Sequence, residues 1–351
     1  MNLVVTYSSK KGLEKEFRDM TQSLPDSDDE PPSTDFFAEG DSMETVNSAM
    51  DALRSCGHDV CGFEADIQVQ KKLQSHRPDI VFNIAEGLYG VFRESYVPMI
   101  CEKLRIPYTG SDPMTLAICL HKARCKEMLT YFGIPNPRFV LTDGSDTTPL
   151  KKLKYPVIVK PNSEGSSKGI FNDSVAETYA DAVKKIRRNT DKYGQQLIVE
   201  ELITGREFTV AIWGNGKEAQ VLPIVEINHS ELPEDAWPIY SYEAKWIWDT
   251  AEKPLDIFKC PANIGAKLRI KIEETVLKAY RSLEIKDWCR IDVRLDSKGV
   301  PNILEINPLP GILPKPEDNS CFPKAARTAG YPYNKMLDKI VQTAVRRYGL
   351  K

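Results

Sequence analysis

The chain has 351 residues, 41% of them hydrophobic and 28% charged, with a formal net charge of −3. That balance suits a soluble globular protein of two or three modules around a shared cleft. It offers nothing to a nucleic acid or an anionic membrane surface, and no apolar run reaches the roughly 18 residues that span a bilayer. The opening Met1–Tyr7 reads as a short strand without a basic leader, and the eight cysteines follow no regular spacing. The expectation is a cytoplasmic protein with reduced thiols. Cys56, His58 and Cys61 crowd together, but their spacing matches no common zinc pattern and a second Cys/His pair is missing.

Three blocks are expected, at residues 1–115, 116–206 and 207–351. The first opens with a buried strand at 3–7, followed by an acidic, proline-bearing stretch at 23–33 that reads as a surface loop. A helix over 42–55, a strand over 59–63 and a strand over 79–84 come next. Strands alternating with helices predict a parallel sheet covered on both faces, with ligands at the carboxyl ends of its strands. Glu86, with Arg93 and Glu94 after it, lies just beyond such an end, which makes Glu86 a candidate substrate contact.

The second block starts near Leu116 with a helix carrying Lys122, Arg124 and Lys126, ended by the breaker Gly133-Ile134-Pro135-Asn136-Pro137. Strands follow at 157–160 and 197–200. After the first comes a polar glycine loop, residues 161–169, with hydroxyls at Ser166 and Ser167. It lacks Walker spacing, yet a glycine loop beside a strand ending in Lys160 is able to fold over a triphosphate. Taken alone it reads more readily as an ordinary polar hairpin turn.

The third block begins with a strand at 207–213 and a turn at Gly214-Asn215-Gly216. A helix over 263–282 and a last helix over 333–347 are expected. Between them, strands at 289–295 and 302–306 form a hairpin with its turn at Ser297–Gly299. Side-chain alternation sends Glu305 and Asn307 to one face, toward Asp292 on the partner strand. Two carboxylates and an amide oxygen suit magnesium, which keeps part of its shell for phosphates. The bland alternative is a structural salt bridge such as Arg290 to Glu305. Glu200, Glu201 and Ile203 lie where one lobe passes into the next, placed to offer backbone groups and an apolar wall to a flat ring. Glu207, just beyond, is a candidate ribose acceptor.

In this order and spacing the pieces resemble the ATP-grasp superfamily, and within it the D-alanine–D-alanine ligase family. The resemblance runs from about Arg105 to Tyr348. It passes through Ile106-Pro107-Tyr108-Thr109-Gly110-Ser111, Val159-Lys160-Pro161, Glu164-Gly165-Ser166-Ser167, Val199-Glu200-Glu201, Gly205-Arg206-Glu207-Phe208-Thr209-Val210, Glu243-Ala244-Lys245, Arg290-Ile291-Asp292, Leu304-Glu305-Ile306-Asn307, Leu309-Pro310-Gly311 and the closing Ser320–Gly330. The implied fold is α/β: an N-terminal parallel α/β domain and two α+β lobes enclosing ATP.

The resemblance also implies roles. Lys122 and Lys160 would contact ATP phosphates, with Ser166 and Ser167 on the covering loop. Glu200 would meet the adenine amino group, Glu201 would stand beside it, Ile203 would line the base pocket and Glu207 would bind the ribose. Asp292, Glu305 and Asn307 would hold two magnesium ions, with manganese as the alternative. Arg290 and the Gly311 N–H would face an oxyanion, and Lys245 the γ-phosphate. Ser320 would hold the acceptor carboxylate. Residues 229–250, rich in Trp, Tyr and Pro, would close the site. Small amino-acid-like substrates are implied, and the family's common homodimer would use the first block.

The resemblance fails at two places. The family's Gly-Gly-x-Ser-x-Glu segment is replaced by Tyr7-Ser8-Ser9-Lys10-Lys11-Gly12-Leu13-Glu14, and its His-Gly-x-x-Gly-Glu-Asp-Gly segment by Asn83–Glu94. Trp246 follows Lys245 where Tyr is usual, and four extra residues lie between Gly311 and Ser320. The departures cluster where donor and acceptor would sit. The reading is an ATP-dependent carboxylate–amine ligase for amino-acid-like substrates. Alternatives are a true D-alanine–D-alanine ligase and a nucleotide-binding protein that has lost catalysis.

Overall fold

The structure, a computed structural model, describes residues 1–22, 31, 33–248 and 255–350. Most of the acidic stretch expected as a surface loop, residues 249–250 of the expected closing segment, and the side chain of Trp246 lie outside the described residues.

The first block holds β1 (Asn2–Tyr7), α1 (Lys10–Thr21), α2 (Met43–Ser55), β2 (Asp59–Glu64), α3 (Val69–His76), β3 (Ile80–Asn83) and α4 (Tyr96–Leu104). Its strands pair in parallel in the order β2-β1-β3. Leu3, Val4 and Val5 are all fully buried, as a strand covered on both faces requires. Ser9 and Ser42 start the helices by accepting hydrogen bonds from the Gly12 and Thr45 N–H groups.

The single helix expected around Leu116–Lys126 is two, α5 (Pro113–Leu120) and α6 (Lys122–Tyr131). His121, with φ −84° and ψ 88°, leaves helical geometry between them and caps α6 with its ring, which accepts from the Arg124 N–H. The sequence pattern missed this because the apolar periodicity continues across the break. The consequence is functional: Lys122 stands at the first position of a helix rather than in its middle.

Next come β4 (Phe139–Thr142), β5 (Val157–Pro161), β6 (Val175–Ala176), α7 (Tyr179–Tyr193) and β7 (Leu197–Glu201). They form an antiparallel sheet ordered β4-β7-β5-β6. The remainder comprises β8 (Glu207–Trp213), β9 (Gln220–Val221), β10 (Val225–Ile227), β11 (Phe258–Lys259), α8 (Ala266–Ser282), β12 (Trp288–Leu295), β13 (Pro301–Asn307), α9 (Cys321–Thr328) and α10 (Tyr333–Tyr348). Here the order is β11-β10-β8-β12-β13, with β9 beside β8. The turn expected at 214–216 does lie between paired strands, but it is a longer loop that rejoins β8 at Gln220 and Val221.

One apolar core unites the first and third blocks: Leu3, Leu53 and Phe82 pack in the same cluster as Trp213, Trp288, Phe322 and Ile340. No described helix is long and apolar enough to cross a membrane. The eight cysteines are free thiols. His58 bonds Asp338 at 3.0 Å, and no metal-binding group of three or more His, Cys, Asp or Glu occurs among the described residues.

Candidate active site

The β12–β13 hairpin sets Asp292 opposite Glu305 and Arg290 opposite Asn307. After Asp292 the register slips, so that Val293 faces Ile303 and Leu304 is the extra residue. A bulge bends a strand and re-aims its side chains, and this one falls beside the two acids. Asp292, Glu305 and Asn307 all line a cavity of about 860 Å³.

The ion pairs there differ from the alternative considered for the sequence. Arg290 does not bridge Glu305. It grips Asp292 in a two-point contact, Nε to Oδ1 at 3.0 Å and Nη2 to Oδ2 at 2.9 Å. Glu305 instead pairs with Lys122 at 2.7 Å, brought from α6. Burial alone would raise the Glu305 carboxyl, but Lys122, with Lys160 and Arg290, brings it down to about 2. Asn307 donates its amide to Asp292 at 3.2 Å. Thr209, opposite Asp292 across β8, was not singled out in the sequence. Its hydroxyl is buried on the cavity wall without a hydrogen-bond partner. An orphaned hydroxyl beside two carboxylates and an amide is an all-oxygen donor set, the kind that fits magnesium.

Elsewhere on the cavity wall, Lys160 on β5 reaches Glu200 on β7 at 2.9 Å, and Lys126 stands 3.4 Å from its other oxygen. Burial opposes the charge on Glu200, yet Lys126 and Lys160 outweigh it and leave the carboxyl below its ordinary value. Burial lowers Lys126 in turn. Glu207 is held by His229 at 2.9 Å and Arg294 at 3.2 Å. Glu201 accepts from the Lys154 N–H at 2.9 Å. All of these except Lys126, His229 and Lys154 line the cavity, together with Ile203.

The glycine loop turns on two successive left-handed residues, Ser166 with φ 50° and Ser167 with φ 60°. Lys122 donates to the Glu164 carbonyl. The Ser167 hydroxyl donates to the Tyr240 carbonyl at 3.0 Å, so the loop and the segment expected to close the site are already joined. Lys245, in the π-helical turn Ala244–Trp248, is held below its ordinary value by burial and by Arg290. Ser320 donates to the Gly311 carbonyl at 3.0 Å, and both line the cavity.

Two further acids on the cavity wall were not marked by the sequence alone. Glu39 and Asp41 join Glu86 and Glu94 on the cavity wall. Burial, then Glu39, Glu94 and Asp41, push Glu86 well above the ordinary carboxylate range. Burial takes Glu94 to about 7 despite Arg93. Arg93 is committed to Glu39, at 2.7 and 2.9 Å. Nothing local in the sequence pairs positions 39 and 93, which lie in separate elements. Ser8 and Ser9, at the departure from the family pattern, are tied to Asp41 and Glu64.

Comparison with known proteins identifies the family. The family described as D-ala D-ala ligase C-terminus matches residues 128–342. An uncharacterised protein of Sinorhizobium fredii is 35% identical over 312 residues, covering 86% of this chain and 88% of that one. The D-alanine–D-alanine ligase of Actinobacillus succinogenes is 30% identical over 313 residues, covering 87% and 93%. A crystal structure of the D-alanine–D-alanine ligase of Bacillus anthracis complexed with ATP superposes with a TM-score of 0.71 at 22% identity, covering 99% of both chains. The family match spans more than half the chain and the sequence likeness most of it. The chain therefore belongs to the D-alanine–D-alanine ligase-like family and is an ATP-grasp ligase.

Proposed function

We propose that the protein joins a carboxylate to an amine on amino-acid-like substrates, activating the carboxylate as an acyl phosphate at the expense of ATP. The observation that carries this reading is convergence. Lys122, Lys160, Glu200, Glu207, Arg290, Asp292, Glu305, Asn307 and Gly311 come from distant parts of the chain and line one cavity.

In this mechanism Lys122 and Lys160 hold the phosphates, with Ser166 and Ser167 covering them. Glu200 and Ile203 receive the base, and Glu207 the ribose. The donor carboxylate attacks the γ-phosphorus and ADP departs. The amine then attacks the acyl carbon, and the O⁻ of the tetrahedral intermediate meets the Arg290 guanidinium and the Gly311 N–H. Its collapse expels inorganic phosphate. Asp292, Glu305 and Asn307 would hold magnesium, which when bound neutralises phosphate oxygens. Closure by the 229–248 segment keeps water from the acyl phosphate.

A second reading, D-alanine ligation itself, is favoured by the names of the relatives. Against it stand the departures from the family segments at residues 7–14 and 83–94, where donor and acceptor would sit. Measuring ADP release against a panel of amino acids, with mass analysis of products, separates the two. Dipeptide formation from D-alanine alone would establish the second; no ADP release with any pair would defeat both. Glu305→Gln is expected to cut turnover by at least about 100-fold while the fold persists. Near-normal activity would remove Glu305 from the metal set.

A further inference from the structure

Residues 34–39 run as consecutive turns beside the glycine loop. They are anchored by aromatic contact: Phe36 and Phe37 stack edge-on against Phe17 of α1 at 5.4 and 5.9 Å. Their two acids point away from solvent and end on backbone amides of the glycine loop. Glu39 accepts from the Gly165 N–H at 2.7 Å. Asp35 accepts from the Gly169 N–H at 2.7 Å and from the Tyr193 hydroxyl at 3.1 Å. A carboxylate on a backbone N–H makes a charge-assisted bond, stronger than a neutral one.

Gly165 keeps this contact close. A Cβ there would lie 2.6 Å from the Glu39 carboxylate oxygen, so any larger residue would have to displace the acid. The charge on Glu39 is matched in place. Burial pushes its carboxyl up, but Arg93, Lys168 and the Gly165 N–H prevail and hold it below its ordinary value. Arg93 in turn donates to the Ser163 carbonyl at 2.8 Å. Both flanks of the loop are therefore held from the first block. The same segment continues into Asp41, whose backbone pairs with Ser8 and Lys10 at the donor end.

We propose that Glu39 and Asp35 are positioning residues that fasten the glycine loop over the triphosphate. They thereby tie nucleotide capture to the segment bordering the donor end of the cleft. The inference rests on the ATP-ligase reading for its consequence in turnover, but the fastening itself does not.

Hydrogen–deuterium exchange of the full chain without nucleotide reads the fastening directly. Glu39→Ala should speed exchange at amides 163–171 about tenfold, as loss of a charged hydrogen bond implies. Gly165→Ala, which leaves Glu39 and Arg93 intact but displaces the carboxylate, should do the same and serves if Glu39→Ala fails to fold. Glu39→Gln keeps an acceptor oxygen and should restore most of the protection. In turnover, Glu39→Ala or Gly165→Ala should raise KM for ATP about tenfold while kcat changes less than about threefold. Wild-type exchange in these variants, or an unchanged KM for ATP, overturns the proposal. Absence of turnover in the parent enzyme would instead defeat the ligase reading, leaving the exchange result to decide the fastening.

Discussion

At the scale of single residues, the site is governed by which charge meets which. Asp292 and Glu305 stand opposite each other, yet each is neutralised by a different cation: Arg290 from its own strand, Lys122 from α6. Asp41 shows the opposite balance. Burial drives its carboxyl up to about 7, with Glu64 adding to the rise and the Ser8 N–H only partly opposing it. The folded chain therefore holds a proton there that the unfolded chain has released once pH exceeds about 4. Stability should fall as pH rises from about 4 to 7, because the folded state binds more protons throughout that window. Asp41→Asn is expected to flatten that decline. The variant should melt a few degrees above the parent at pH 8 and about level with it at pH 4, measured by thermal denaturation. An equal melting temperature at pH 8 would show that Asp41 carries no such strain.

At the scale of elements, short irregularities place the chemistry. The kink at His121 puts Lys122 at a helix start, and the bulge at Leu304 re-aims Glu305. The glycine loop ends at Gly169, where φ is +74° and a Cβ would come within 2.3 Å of the Pro161 ring. Gly299, in the β12–β13 turn, has φ +69° and open space around it. Alanine at Gly299 should cost only the left-handed penalty of about 1–2 kcal/mol. Alanine at Gly169 should cost that and a collision besides, so it should be the more destabilising of the two by chemical denaturation. Equal losses would mean that the Pro161 contact yields freely.

At the scale of the whole molecule, a buried acid locks the blocks together. Asp287 bonds Arg347 of α10 at 2.7 Å, the Gly110 N–H at 2.9 Å and Asn215 at 2.8 Å. Arg347 also reaches the carbonyls of Tyr108 and Gly110. Asp287→Ala would strand the half-buried guanidinium and should cost about 3–5 kcal/mol of stability, measured by denaturant unfolding. A loss under about 1 kcal/mol would place the main union in the shared apolar core instead.

Much of this was legible in the residues. Alternation and runs of apolar residues marked β1, β3, β5, β7, β8 and the β12–β13 hairpin, because period and burial are local properties. The order of Lys160, Glu200, Glu207, Asp292 and Glu305 carried the family resemblance without coordinates. What the tertiary structure decided is partnership. That Glu305 pairs with Lys122, that Glu200 lies between two lysines, and that Glu39 reaches Gly165 depend on contacts between positions far apart in the chain. A sequence states which groups carry charge; only packing decides which are buried together, and burial is what makes a chosen partner matter.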